Sequence, residues 1–209
     1  GTDPGECSYT VDGPEFDVAW YSSGGGSITN DITGTSTLAG HEFTPGTYTV
    51  TWTTDDGSGN TNSCCTYDIT VYDNEDPVPN WPADVVVDVD AGSCSATNVD
   101  VGTPTFTDNC DDPAEINATR NPSGTTFDAG VNNVYWEATD SRGNRITHTQ
   151  TVTVNDNIDP VISCPANRYH REFDNLSVDY YTIDGFDAFR PSRSDNCTIT
   201  SYVHDYDGG

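Results

Sequence analysis

Two stretches of the chain combine carboxylates and a side-chain amide in the pattern Asp-Asn-x-Asp-Pro. The first runs from Asp73 to Pro77 and the second from Asp156 to Pro160. Ca²⁺ takes about six to eight oxygen ligands, chiefly carboxylates and carbonyls. The sequence therefore predicts calcium as a cofactor at these two acidic joints. The predicted ligands are Asp73, Asn74, Asp76, Asp156, Asn157 and Asp159.

Two turns of the pattern Asp-x-x-Gly-Asn are expected near the same end of the fold. They span residues 56–60 and 140–144, and each can add oxygen ligands to a joint. An alternative stays open for both turns and joints. Asp, Asn and Pro are favoured in turns for conformational reasons alone, and Gly and Asn accept positive φ. A turn of this composition therefore also forms without a ligand.

Seven cysteines are present, and none of them forms a Cys-x-x-Cys pair. Their number in a chain of small modules indicates disulfides and an oxidising compartment. We therefore expect an extracellular or cell-surface location. Because the count is odd, one thiol is expected to be free or bonded to another chain. The cysteines are Cys7, Cys64, Cys65, Cys94, Cys110, Cys164 and Cys197.

The charge of the chain is strongly one-sided. Thirty-four acidic residues face seven arginines and no lysine, which gives a net charge of −27. Nucleic acids and anionic membranes bind basic surfaces, so neither is an expected partner. No apolar stretch is long enough to cross a bilayer, and membrane insertion is not expected. Mutual repulsion of the carboxylates calls for screening by salt or bound cations.

Catalytic patterns are missing from the sequence. The four histidines lie in unrelated contexts, and neither a Gly-x-Ser-x-Gly nor a His-Glu-x-x-His motif is present. We therefore predict that the protein is not an enzyme.

The composition favours strands, because Thr, Val, Tyr and Gly are abundant and leucine occurs only at Leu38 and Leu176. Two long segments, 43–78 and 127–161, match each other. Each predicts a strand, an Asp-x-x-Gly-Asn turn, a second strand and an acidic joint. The first segment has one extra residue near Cys64, which predicts a β-bulge.

Shorter matches extend the repeat pattern along the chain. Residues 80–83 match 163–166, and residues 107–110 match 194–197. We predict an all-β fold of tandem immunoglobulin-like β-sandwiches arranged in an elongated rod. The expected boundaries are 1–73 for a repeat without its first strand, 74–156 for a complete repeat, and 157–209 for a partial one. Another chain, or a continuation of the polypeptide, would complete the last repeat.

The chain contains the motifs CPA, DNC, F-x-x-G, V-x-W, TD-x-x-GN and V-x-V-x-DN-x-x-P. Together they resemble the hyalin repeat, or HYR domain. This resemblance covers nearly the whole chain. It implies an immunoglobulin-like fold and an extracellular adhesive setting, but it assigns no chemistry, since the fold is a scaffold.

The resemblance also implies disulfide pairs. One joins the Gly-x-Cys and Asp-Asn-Cys cysteines, which here are Cys94 and Cys110. A second pair is replaced at both positions, by Trp81 and His148, so we expect those two side chains to pack together. The remaining expected pairs are Cys7 with Cys64 or Cys65, and Cys164 with Cys197.

The leading functional prediction is an extracellular structural or adhesive protein, a fragment or subunit of a surface filament, appendage or matrix. Such a chain is expected to associate with itself head to tail into a fibre. The alternative is a glycan- or protein-binding module, or the stalk of a larger secreted protein. Glycans are further candidate ligands if Trp52 and Trp136 form a platform, although core packing is commoner for strand tryptophans. The glycosylation sequons are Asn117, Asn175 and Asn196.

Overall fold

The computed structural model describes residues 1–21, 25–163 and 192–199. In these ranges the regular structure is β, apart from one 3-10 turn at Pro14–Phe16, so the all-β prediction is confirmed. The strands are β1 Tyr9–Thr10, β2 Ser27–Asn30, β3 Glu42–Phe43, β4 Gly46–Asp55, β5 Thr61–Val71, β6 Val78–Asn80, β7 Val85–Asp88, β8 Ser95–Ala96, β9 Thr105–Thr107, β10 Asn117–Asn121, β11 Phe127–Asp128, β12 Gly130–Thr139, β13 Arg145–Asn155, β14 Val161–Ser163 and β15 Ser192–Ser194.

Strands β4 and β5 form the first long hairpin, because β-branched and aromatic residues alternate along both. The alternation places Val50 and Trp52 in the interior. Trp52 lies opposite Cys65, whereas Thr53 lies opposite Ser63, so position 64 is extra. The predicted β-bulge is therefore confirmed.

Strands β12 and β13 form the second long hairpin of the repeat pattern. The four-stranded sheet has the order β10-β12-β13-β7, and β7 runs parallel to β13. Val134, Trp136 and Ala138 alternate into the interior. Because Trp52 and Trp136 are both buried, they serve as core residues, and neither offers a ring face for a sugar to stack on.

The chain divides into two compact units, each built from separate segments. The first contains residues 1–82, 102–123 and 135–149, and the second contains residues 83–101, 124–134 and 150–209. The main core of the first unit consists of Val11, Ile28, Leu38, Phe43, Val50, Trp52, Ile69 and Val71. In the second unit the fully buried Gln150 donates to the carbonyls of Ala83 and Val101 at 2.6 and 3.0 Å.

A smaller core in the first unit surrounds Trp81. Its ring stacks on His148 with a centroid distance of 5.3 Å and an interplanar angle of 10°. Phe106 meets the same ring edge-on at 5.5 Å. The expected packing of Trp81 against His148 is confirmed, so an aromatic stack stands where the resemblance implies a disulfide.

Over the described ranges, no helix has the length and apolar character needed to span a membrane.

Candidate metal centre

Three loops of the first compact unit bring three carboxylates together. Asp73 follows strand β5, Asp108 follows β9, and Asp140 follows β12. Each side chain offers an oxygen, and these oxygens all lie within 4.8 Å of one another. Two ligands on opposite sides of one Ca²⁺ lie about 4.6–5.2 Å apart. The spacing is therefore one that a single ion of this size can bridge.

Asp140 is held by its own turn. Its Oδ1 accepts backbone N–H groups from Arg142, Gly143 and Asn144 at 2.9, 2.6 and 2.8 Å. Its Oδ2 accepts the Asn144 side-chain amide at 2.7 Å. The Asn144 amide also donates to the carbonyl of Asp73 at 3.3 Å. The turn thus fixes the Asp140 carboxylate and ties it to the loop that carries Asp73.

Asp108 is held in the same manner by the loop after β9. Its Oδ1 accepts the N–H groups of Cys110 and Asp111, both at 2.9 Å. The buried Asp111 carboxylate accepts the backbone N–H of Ser141 and, at 2.7 Å, its hydroxyl. This second link joins the loop of Asp108 to the turn of Asp140, so the three carboxylates are preorganised by protein contacts alone.

Several oxygens at this place are buried without a hydrogen-bond partner. Across the described residues, five buried side-chain polar atoms lack one, and three of them belong here: Oδ2 of Asp73, Oδ2 of Asp108 and Oδ1 of Asn109. The Asp73 side chain is only 6% exposed. A buried polar group without a partner costs roughly 1–3 kcal/mol. Three of these costly groups therefore lie together at the carboxylate cluster.

The charges of the three carboxylates repel one another. At separations of 4.8 Å or less, each pair of like charges costs on the order of 3 kcal/mol at an effective dielectric constant of about 20. Burial, followed by the charges of Asp108 and Asp140, raises the pKa of Asp73, against the backbone hydrogen bond from Glu75. A cation at the centre would remove both the repulsion and the cost of the unpaired oxygens.

Asn109 connects the carboxylates to a disulfide. Its side-chain amide donates to the carbonyl of Glu6 at 3.0 Å, and it lies against Asp73. The neighbouring residues, Cys7 and Cys110, form a disulfide with a Cα–Cα distance of 4.7 Å. The covalent bond and the carboxylate cluster therefore share one loop.

The predicted disulfide between Cys94 and Cys110 is wrong. Cys110 is bonded to Cys7, and Cys94 is bonded to Cys197. The cause lies in the Asp-Asn-Cys loop. The amide of its Asn donates a hydrogen bond to a backbone carbonyl in the preceding repeat, at the residue just before the Gly-x-Cys cysteine. Asn109 does this to Glu6, and Asn196 does the same to Ser93 at 2.8 Å.

The other expected pairs fail for the same reason. Cys7 is not bonded to Cys64 or Cys65, and Cys197 is not bonded to Cys164, which lies outside the described residues. Both disulfides span 103 positions. Each joins a cysteine of one sequence repeat to a cysteine of the next.

The predicted calcium ligands of the first joint divide into two groups. Asp73 lies in the carboxylate cluster. Asp76 instead accepts the backbone N–H of Arg145 at 3.0 Å, and calcium ligation by Asn74 stays a prediction. Asp140 comes from the turn that we expected to lie near the joint.

Sequence reasoning missed Asp108 and Asn109. The signal that points to them is the repetition of Thr/Ser-Asp-Asn-Cys at residues 107–110 and 194–197. In the sequence alone that motif marks a repeat and a disulfide cysteine, but no ligand. An Asp and an Asn that recur together beside a cysteine also predict a fixed pair of oxygens next to a disulfide.

The second joint holds part of the same arrangement. The Asn196 amide donates to Oδ1 of Asp156 at 3.1 Å, and Oδ1 of Asn196 is again buried without a partner. Asn157 donates to Asp88 at 2.7 Å, and Asp159 is exposed. Calcium ligation by Asp156, Asn157 and Asp159 stays a prediction.

The sequons differ in how accessible their amides are. Asn117 is exposed on β10, which leaves it open to modification. The Asn196 amide is half-buried and donates three hydrogen bonds, so a glycan there would disrupt them. Asn175 lies outside the described residues.

Residues 7–71 match the family model of the HYR domain. Over 146 residues the chain is 34% identical to Hyalin of Strongylocentrotus purpuratus. The match covers 65% of this chain and 12% of that protein, so it spans a small part of the relative's length.

Proposed function

Because residues 7–71 match the family model of the HYR domain, we propose that the protein is an extracellular structural or adhesive component, part of a surface filament, appendage or matrix. Its modules would associate head to tail. The sequence similarity to Hyalin and the presence of disulfides support this proposal. Disulfides persist in oxidising surroundings.

The observation that carries the proposal is the pairing of cysteines from consecutive repeats. Cys7–Cys110 and Cys94–Cys197 have the same spacing of 103 positions. A bond inside one repeat would stabilise that repeat alone. Each of these bonds lies inside one compact unit but links two sequence repeats, so it adds a covalent path alongside an acidic joint, which is useful where a chain must resist being pulled or bent.

The test is direct imaging together with sedimentation. Purified protein is examined over a range of concentrations by negative-stain electron microscopy and analytical ultracentrifugation, with and without reductant. The proposal expects end-to-end assemblies that lengthen with concentration. A single sedimenting species with no filaments at any concentration, together with no retention of the protein by extracellular matrix or cell surfaces, would contradict it.

A further inference from the structure

We propose that Asp73, Asp108, Asn109 and Asp140 form a Ca²⁺ site beside the Cys7–Cys110 disulfide, and that the ion locks the loops which meet there. This inference deepens the proposed function, but it rests on the local geometry, and binding can succeed or fail whether or not the protein assembles into filaments.

Three side-chain oxygens at this place have no hydrogen-bond partner. Oδ2 of Asp73 belongs to a side chain that is 6% exposed, and it has no partner. Oδ2 of Asp108 and Oδ1 of Asn109 are also buried and have no hydrogen-bond partner. A folded protein leaves few such groups unpaired. Three at one place are explained by an ion that accepts electron pairs from oxygen.

Hydrogen bonds occupy only part of each polar side chain at this place. In Asp73 and Asp108, one carboxylate oxygen accepts backbone N–H groups and the other is left without a partner. The Asn109 amide nitrogen is occupied by Glu6, which leaves the amide oxygen available. The hydrogen bonds fix the two carboxylates in place and leave one oxygen of each available to coordinate an ion.

Part of the arrangement recurs in the next repeat. In the next repeat Asn196 again binds the residue before the disulfide cysteine through its amide nitrogen, and again has a buried Oδ1 without a partner. Its amide also meets Asp156, which is the counterpart of Asp73. An accident of one loop would not be expected to repeat at the corresponding atom 87 positions later (196 − 109).

The chemistry of the ligands favours Ca²⁺. All four are oxygen donors, whereas Zn²⁺ sites are built mainly from His nitrogen and Cys sulfur. Mg²⁺ demands a smaller octahedral shell and retains most of its waters. Backbone carbonyls and water would complete the shell around the side-chain oxygens. Extracellular Ca²⁺ modules bind with dissociation constants on the order of 10⁻⁴ to 10⁻³ M.

The test is calorimetric titration of the whole chain with CaCl₂, with MgCl₂ as a comparison, together with thermal unfolding in Ca²⁺ or in chelator. We expect a saturable Ca²⁺ signal, and an unfolding temperature about 5 °C higher in saturating Ca²⁺. A well-folded protein that gives no Ca²⁺ signal would overturn the proposal.

The decisive variant is Asp73→Asn. It keeps an oxygen to accept the Glu75 N–H, and it removes a charge that repels Asp108 and Asp140. We expect Ca²⁺ binding to weaken at least ~10-fold, while the unfolding temperature in chelator stays the same or rises. A merely structural carboxylate would lower that temperature instead, which would count against the site.

The matched control is Asp56→Asn, because Asp56 occupies the same kind of turn as Asp140 but is exposed. Its variant should titrate with Ca²⁺ like the unmodified protein. If Asp56→Asn abolished binding and Asp73→Asn did not, the ion would lie elsewhere and the assignment would be wrong.

Discussion

The turns at residues 56–60 and 140–144 share one pattern and have different surroundings. In each, the Asp backbone N–H donates to the Asn carbonyl at 3.1 Å, and the Asn amide donates to the Asp Oδ2 at 2.7 Å. Asp56 faces solvent, whereas Asp140 is 6% exposed and lies among the carboxylates of Asp73 and Asp108. The same five-residue motif therefore builds a plain turn in one place and supplies one carboxylate of the proposed ion site in the other.

The difference teaches that the motif fixes only its own backbone. Hydrogen bonds from Asn60 and Ser58 lower the pKa of Asp56, as expected for a carboxylate held in a solvated turn. At Asp140 two other loops supply the neighbouring charges. The turn becomes a candidate site because of what the fold places beside it.

The strongest way to break the comparison is to release the loop that carries Asp108. Replacing Cys7 and Cys110 together by Ser should lower the free energy of unfolding by about 4 kcal/mol, because the bond closes a long loop. Urea denaturation measures this change. Ca²⁺ affinity should fall with it, since Asp108 and Asn109 lose their anchor.

The matched control replaces Cys94 and Cys197, which are separated by the same 103 positions. That variant should lose similar stability and keep the Ca²⁺ site at Asp73. Equal loss of Ca²⁺ binding in both variants would mean that the disulfide near Asp108 has no special role in the site.

A smaller change makes the turn at Asp140 resemble the one at Asp56. Asp111→Ala removes the buried carboxylate that holds Ser141. We expect a loss of about 2 kcal/mol in the free energy of unfolding, which is typical of buried hydrogen bonds to a charged group. Ca²⁺ binding measured by calorimetry should weaken as the turn loosens. Unchanged stability would show that the Asp111 link is dispensable.

The smallest expected effect comes from the paired glycines of the two turns. Gly59 and Gly143 have φ of +91° and +97°, and a Cβ at either position meets nothing within 4 Å. Ala at each should therefore cost about 1 kcal/mol through backbone conformation alone. Only Gly143→Ala should also reduce the Ca²⁺ response. Unequal stability losses in chelator would reveal a further contact at one turn.

Much of the fold could be predicted because it depends on local patterns. Alternating apolar residues indicated both long hairpins, and one surplus residue located the bulge at position 64. The stack of Trp81 on His148 followed from the joint loss of two cysteines. Each of these features is set by residues that are close along the chain or paired within one hairpin.

The disulfides and the carboxylate cluster were harder because they depend on which loops meet. Nothing in the pattern around Cys94 distinguishes a partner at Cys110 from one at Cys197. That choice follows from the reach of Asn196 to Ser93, a contact that spans 103 positions. Asp108 was overlooked for the same reason, since its neighbours Asp73 and Asp140 come from distant parts of the chain.

The two disulfides have a consequence for proteolysis of the chain. The loop closed by Cys7–Cys110 overlaps the loop closed by Cys94–Cys197 between residues 94 and 110. A protease that cleaves any one peptide bond from residue 7 to residue 197 therefore leaves the pieces joined as one covalent molecule. Protein cleaved once would stay a single molecule until a reductant is added. Cleavage of one peptide bond would therefore not separate the chain into two pieces.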